Sequence, residues 1–392
     1  MRWNPVSAVL AFIGASAVAG LPFLRVAPNR LLSGEPVSLA QALHGAWGVM
    51  LALQLAFVLL APLLRPTRAV LWLQVAGAVT LLAGWLGLAG GYASQMAQTE
   101  SSLARTSLGG AFWVLLVIFW LMTVDALQRL RVGLAVRFAV LTTAVGLSLL
   151  PLLLGACDAL SIMKEWANQS DVFGEAVWRH IAIVLAALGP TLCLGVPLGW
   201  WMRRSVRVGQ ALFPVLNIIQ TIPSIALFGL LMAPLALLAA AYPALARAGI
   251  SGVGMAPGVI ALILYSLLPV VRGTLAGLEQ VPAAVREAAR GMGMSPLQIF
   301  YRVEVPLALP VLLAGVRTAT NQAIGLAAVT ALIGAGGLGA IMFEGLFSSA
   351  HDLVLLGVLP IVGLAVLADT AFKVLIRVTQ RPPVVSPTGL SP

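Results

Sequence analysis

Charge is scarce in this sequence: only 9% of its 392 residues are Asp, Glu, Lys or Arg, while 60% are hydrophobic. A water-soluble domain carries about a quarter charged residues, so this chain cannot cover an apolar interior with polar surface. Histidine is equally sparse. His44, His180 and His351 are scattered and form no H-E-x-x-H, and neither G-x-S-x-G nor G-K-[ST] occurs. A membrane protease or an ATP-hydrolysing site in this chain therefore lacks its reacting groups. The two cysteines, Cys157 and Cys193, are too few for a disulfide framework. Lysine is nearly absent, so the net charge of +10 is carried by arginine. Those arginines lie between apolar runs, which reads as loop charge orienting a membrane protein rather than as a nucleic-acid surface.

What is present is a series of apolar runs about 20 residues long, the length that crosses a bilayer as a helix. They lack the alternation of a transmembrane β-barrel, and the fold class is therefore all-α and polytopic. Ten spans are expected: Val6–Leu24, Leu43–Leu64, Ala69–Gly90, Leu108–Leu127, Phe138–Ala156, Ile181–Met202, Val208–Met232, Ala256–Val271, Leu307–Leu332 and Leu353–Val374. The first follows Arg2 and runs past the small residues Ala17-Val18-Ala19 to Leu24, so it reads as a span rather than a cleaved signal.

Arginine groups mark alternate loops. Arg65 and Arg68, then Arg129, Arg131 and Arg137, then Arg203, Arg204 and Arg207 are followed by Arg272, Arg286, Arg290 and Arg302, and by Lys373, Arg377 and Arg381. Placing all five groups in the cytoplasm puts both termini inside. Arg25 and Arg30 then lie outside, against the pattern. Parity leaves two crossings between Arg207 and Arg272, with Pro234–Gly254 outside as a broken piece, re-entrant or interfacial. The same reasoning gives two crossings between Arg302 and Lys373, joined outside by Gly334–Gly339 and the segment to Asp352. Composition divides the chain into 1–156, five spans with few polar features; a connection, 157–176; a core, 177–378, rich in prolines and intramembrane polar residues; and a tail, 379–392.

The loop 275–306 is the most informative stretch. Pro282 suits the first turn of a helix, and the segment from Ala283 to Arg290 has strong helix propensity. Gly291 and Gly293 should stop it. Ser295-Pro296-Leu297-Gln298 restarts a helix with a capping box, and Pro306 should end the unit where the next span begins. Ala284, Ala288 and Ala289 would let another backbone approach, with Arg286, Glu287 and Arg290 around them. This pattern builds a docking knob.

Glu287-Ala288-Ala289, three residues, Gly293, nine residues, then Val303-x-Val305-Pro306 resembles the E-A-A loop of permeases of type I ATP-binding-cassette (ABC) importers, with valines in place of isoleucine and leucine. That resemblance implies a five-helix permease core over 177–378. It assigns Glu287, Ala288, Ala289, Gly293 and Pro306 to coupling with an ATPase. Gln220-Thr221-Ile222-Pro223-Ser224, Leu264-Tyr265-Ser266-Leu267-Leu268-Pro269 and Ile333–Gly339 resemble, more narrowly, permeases for glycine betaine, choline and related osmoprotectants. The five extra N-terminal spans resemble a longer subgroup of these. The implied partners are ATP-binding subunits that carry the ATP and Mg, a second permease copy or homologue, an external solute-binding protein and the bilayer of a bacterial inner membrane. No cofactor in this chain and no nucleic acid are expected.

Other features have plainer readings. Gly334-x-Gly336-x-x-Gly339 matches a dinucleotide fingerprint in letters, but it follows a membrane span and lacks a βαβ unit. A tight external turn is expected, with Gly336 and Gly337 near a gate. Trp178 and Trp200-Trp201 bracket one span as interfacial aromatics do. Asn217, Gln220, Thr221, Pro223 and Asn321 interrupt apolar helices and must face protein or a watery path. A cation cage at the tryptophans and plain helix–helix hydrogen bonding at the polar positions are the respective alternatives.

Arg317 lies about 10 residues past Pro306, roughly 15 Å along a helix, and Asp369 about eight before Arg377, roughly 12 Å. These depths match, so the two charges should pair; the alternative is that Arg317 snorkels to the headgroups and Asp369 is protonated or bonded elsewhere. An ion-coupled transporter, the rival class, would need intramembrane carboxylates, for which Asp369 and Asp125 are the candidates.

Overall fold

A computed structural model describes residues 4–30, 32, 34–99 and 103–380. Arg2, Arg381 and the tail beyond residue 380 lie outside the described residues. The chain divides into two compact units, Met1–Gln169 and Ser170–Pro392.

The first unit contains α1 (Pro5–Gly20), β1 (Leu24–Ala27), β2 (Glu35–Val37), α2 (Leu39–Ala42), α3 (Gly45–Leu60), α4 (Arg68–Thr99), β3 (Arg105–Leu108), α5 (Gly110–Arg129) and α6 (Leu134–Leu153). Asn4 caps α1 and Pro5 occupies its first turn, where a missing N–H costs nothing. The interior is apolar, with Phe23, Leu51, Leu81, Leu115, Phe119 and Met122 fully buried. Two findings depart from expectation. A three-stranded antiparallel sheet of order β2-β1-β3 joins the segments before α2 and α5. It accounts for the misplaced arginines: Arg25 stands in its central strand, and Arg30 Nε and Arg105 Nη1 lie 3.2 and 3.3 Å from the buried Glu165 carboxylate. The unit also holds a polar cluster among its helices. Asp125 Oδ2 accepts from Asn4 Nδ2 at 2.7 Å, Ser7 Oγ at 2.7 Å and Arg129 Nε at 2.9 Å.

Helix α7 (Ser161–Arg204) begins inside the stretch expected as a connection, and its residues from Ser170 onward belong to the second unit. There follow α8 (Val206–Thr221), α9 (Ser224–Ala241), α10 (Pro243–Arg247), α11 (Met255–Glu279), α12 (Ala283–Gly291), α13 (Pro296–Ile299), α14 (Val305–Val329), α15 (Leu338–Phe347) and α16 (His351–Thr379). The most extensive packing joins α11 to α14, where glycine is required. A methyl group on Gly273 would sit 2.8 Å from the Gly315 Cα, and one on Gly277 would sit 2.7 Å from the Ala308 carbonyl oxygen. Around this pair Ile183, Phe228, Leu262, Ala323, Leu338 and Leu353 are fully buried.

Nine helices among the described residues are long and apolar enough to cross a membrane. Of the ten expected spans, α1 falls short at 16 residues because Leu24 belongs to β1. The span expected over Val208–Met232 is two helices, α8 and α9, separated at Ile222-Pro223. The segment expected to be broken from Pro234 is instead helical to Ala241, and the breaks come at Tyr242 and between Ala248 and Gly254.

Candidate functional site

Helix α12 follows Pro282, which takes the N-cap position rather than the first turn. Its far end explains the spacing of the motif. Gly293 adopts the left-handed conformation, φ +78°. Its N–H donates to the Arg290 carbonyl at 2.9 Å, and the Met294 N–H donates to the Ala289 carbonyl at 3.2 Å. This pair of bonds is a Schellman turn. The alanine whose carbonyl closes it and the glycine that allows it must stand four residues apart, as Ala289 and Gly293 do. Gly291 remains helical. Ser295 then caps α13 and Gln298 returns the capping box, as the sequence implied.

Pro306 does not end the unit. The chain is helical without interruption from Pro296 to Ile333, through one wide turn at Phe300–Glu304 in which the Val305 N–H reaches back to the Phe300 carbonyl. Pro306 has no N–H to offer in the next turn, and the wide turn absorbs the misfit.

One carboxylate ties this loop down. Glu304 receives both nitrogens of the Arg203 fork, at 3.0 and 2.7 Å, and Arg286 Nη1 stands 3.7 Å away. Arg203 lies in the last turn of α7 and Arg286 belongs to α12, so Glu304 joins both to the start of α14. Fork-to-carboxylate bonding fixes orientation as well as distance. With Arg286 turned inward, Ala289 is buried to 1% exposure, while Ala284, Glu287 and Ala288 lie exposed along one face of α12. Ala289 thus packs inside the chain and is not part of the exposed surface. Behind the hairpin is a cavity of about 410 Å³ whose lining includes Trp200, Arg203, Arg204, Arg286, Arg290 and Glu304.

The intramembrane polar residues form three separate groups rather than one. At the α8–α9 break, Gln220 Nε2 donates to the Tyr265 carbonyl and the Tyr265 hydroxyl to the Ile222 carbonyl. Gln322 Nε2 donates to Gln220 Oε1 at 3.1 Å. The Tyr265 hydroxyl thus satisfies a carbonyl at the break, Gln220 satisfies the Tyr265 carbonyl that Pro269, four residues on, leaves without its helical donor, and Gln322 holds Gln220 in place. Thr221 and Pro223 are exposed beside them. Asn217 instead accepts from Arg272 at 2.7 Å. Asn321 belongs with a third group: Asp369 Oδ1 accepts from Arg317 Nε at 2.5 Å and from Asn321 Nδ2 at 3.2 Å, while Lys373 Nζ lies 2.7 Å from Asp369 Oδ2.

Gly336 and Gly337 lie in a tight turn against α7, at φ +81° and +78°. Arg179 Nε donates to the Ala335 carbonyl at 2.5 Å, and a methyl group at Gly336 would meet that same nitrogen at 2.8 Å. The neighbouring His180 is wholly buried, with Nε2 3.1 Å from the Ile324 carbonyl.

In the sequence Arg203 stood out only as loop charge and Tyr265 only as part of a motif, while Glu304, Gln322 and Arg179 were not singled out. Gln322 carried a usable signal, as a polar residue inside an apolar span that needs a partner.

The family model for binding-protein-dependent transport system inner membrane components matches residues 191–381, and that for the N-terminal domain of the ABC transporter permease YehY matches residues 3–163. The osmoprotectant import permease protein OsmW of Salmonella typhimurium is 39% identical over 202 residues, 52% of this chain and 89% of that protein. The carnitine transport permease protein OpuCB of Listeria monocytogenes is 36% identical over 52% of this chain and 87% of its own length. The choline transport system permease protein OpuBB of Bacillus subtilis is also 36% identical, over 51% and 87%. The chain belongs to the family of inner-membrane components of binding-protein-dependent ABC transporters, and is a multi-pass transport subunit rather than an enzyme.

Proposed function

We propose that this chain is the permease of an ATP-driven importer for a quaternary-amine osmoprotectant such as glycine betaine, carnitine or choline. The observation that carries the reading is the surface of α12. The face formed by Ala284, Glu287 and Ala288 is small and carries one carboxylate, with the exposed Arg290 one turn on from Glu287. It is held rigid by a Schellman turn at one end and the Arg203–Glu304–Arg286 tie behind. A separate ATP-hydrolysing subunit docks on that face, and Ala289, Gly293 and Pro306 give the loop its shape. Movement of the docked subunit is transmitted through Glu304 to α7 and α14. Both termini and this loop face the cytoplasm. A binding protein delivers the solute from the other side to a pair of permeases, this chain with a second copy or a homologue. The substrate class follows the relatives named above.

Two charge arrangements favour ATP over ion coupling. Asp369 is engaged by Arg317 and Lys373, and Asp125 by Arg129, Asn4 and Ser7. A proton or sodium relay needs a carboxylate free to change partners, and neither is free.

The test is ATP hydrolysis by the complex reconstituted with its ATPase and binding protein, screened with glycine betaine, choline, carnitine and amino acids. Stimulation by one of the quaternary amines is expected. Stimulation by amino acids alone would replace the substrate class and leave the permease reading intact.

A further inference from the structure

The cavity behind α12 is strongly basic. Four guanidinium groups, Arg203, Arg204, Arg286 and Arg290, surround one carboxylate, Glu304, a formal excess of three positive charges. Only Arg203 and Arg286 are committed to Glu304. Arg204 lies over the Trp200 ring, its guanidinium carbon 3.9 Å from the ring centre, and makes no hydrogen bond or ion pair among the described residues. Arg290 is exposed and makes no side-chain bond among the described residues. The arrangement leaves two uncommitted guanidinium groups lining a site that is already positive.

Trp200 has a second neighbour. Along the same helix an apolar groove of about 410 Å³ is lined by Cys193, Leu194, Pro197, Leu198, Trp200 and Trp201. Leu194 is 51% exposed and Trp201 54%. The indole of Trp200 therefore borders both compartments. A groove for hydrocarbon opens beside a pocket for an anion, at the end of a membrane-spanning helix.

We propose that groove and cavity together bind one anionic phospholipid, its phosphate held by Arg204 and Arg290 and an acyl chain lying along Cys193–Trp201. Charge selects the headgroup class, because the basic excess gives a zwitterionic lipid no net advantage, whereas basic pockets at helix ends take anionic headgroups. The adjoining groove selects a lipid over free phosphate, which would leave it empty. Arg286 and Glu304 are shared with the coupling loop, so occupancy braces α12 against α7. The inference takes from the transport reading only that this end of α7 lies at a membrane surface.

Two measurements on the full purified chain test it. In native mass spectrometry after exchange into equimolar phosphatidylglycerol and phosphatidylcholine, at least tenfold more of the anionic lipid should be retained. Arg204→Gln with Arg290→Gln should abolish that preference, while Arg204→Lys with Arg290→Lys should keep most of it. Both positions are exposed and outside the Glu304 tie, so the fold should survive. In the second measurement, phosphatidylglycerol should slow maleimide reaction at Cys193 several-fold. Cys157 will not interfere, because it is buried and burial, aided by Asp158, pushes its thiol up to about 11. Equal retention of the two lipids, or a preference unchanged in the glutamine variant, would overturn the proposal. So would an unaltered Cys193 rate with the lipid bound. Displacement of the lipid by equimolar inorganic phosphate would make this a free-anion site, and displacement by the ATPase subunit would make it a protein contact; either result refutes a lipid occupant.

Discussion

Neutralising Asp369 should be the most damaging single charge change between α14 and α16. The carboxylate receives Arg317 at 2.5 Å and Lys373 at 2.7 Å, with Asn321 at 3.2 Å. Asp369→Asn strands both cations. Lys373 is 59% exposed and can reach outward along its flexible stem. Arg317 lies deeper on α14, and an unpaired arginine near a span centre costs about 3 kcal/mol on insertion scales. That is an upper figure, since 35% of its side chain is open and screening lowers the loss. Even about 1.4 kcal/mol is tenfold in the folding equilibrium constant. Arg317→Gln should cost less, because Asp369 keeps Lys373. The structure also predicts how a charge swap behaves. Arg317→Asp with Asp369→Arg sets the introduced arginine one helical turn from Lys373, so recovery should be partial and should improve when Lys373→Gln is added. The assay is the fraction of monodisperse protein after detergent extraction and a heating series. Asp369→Asn matching the unaltered protein, or Arg317→Gln proving the worse of the two, would refute the reasoning.

Three further outcomes are expected. Gly293→Ala should weaken the turn by about 1 kcal/mol and lower stimulated ATP hydrolysis, whereas Gly293→Asn should retain more, because asparagine visits positive φ more readily. Nothing lies within 4 Å of a methyl group at 293, so the effect is conformational rather than steric; equal activity of both variants would contradict it. Glu304→Gln should leave insertion normal but uncouple hydrolysis from uptake, read as ATP consumed per solute imported, since the Arg203 fork loses its anionic partner. A ratio equal to that of the unaltered complex would count against it. Reporters fused after Arg207 or Pro282 should read cytoplasmic and those at Ser170 or Ala241 external; an external reading at Pro282 would remove the docking face from ATP.

Local signals in the sequence carried far. Composition alone sets the membrane class, and Ser295 with Gln298 or Gly293 at its fixed distance from Ala289 declares a cap or a turn, because each involves residues a few positions apart. Arg317 and Asp369 stood out as charges at matching depth in apolar helices, each costly without a partner. Long-range choices were not legible. Glu304 reads as a variable position in a motif until Arg203, 101 residues away, is brought to it by the fold. Pro223 announced a distortion. Whether it kinks the helix or breaks it depends on Tyr265 of α11, whose hydroxyl takes up the Ile222 carbonyl, and on Gln322 of α14, which holds the Gln220 side chain beside it. Ala289 looked like its neighbour Ala288, and only the inward rotation of α12 separates a packing residue from a surface one. The three short strands escaped notice because Leu24–Ala27, Glu35–Val37 and Arg105–Leu108 are three or four residues each, too short to show an alternating pattern, and they find one another only in the fold.

The central claim is that solute moves because ATP is hydrolysed by a subunit docked on α12. Its most direct test is uptake of radiolabelled substrate into proteoliposomes holding the complete complex, with loaded binding protein outside and ATP sealed within. Uptake should require internal ATP, ignore imposed proton and sodium gradients, and vanish with Glu287→Lys although the altered complex still inserts. Uptake driven by an ion gradient without ATP, or unchanged by Glu287→Lys, would contradict the account.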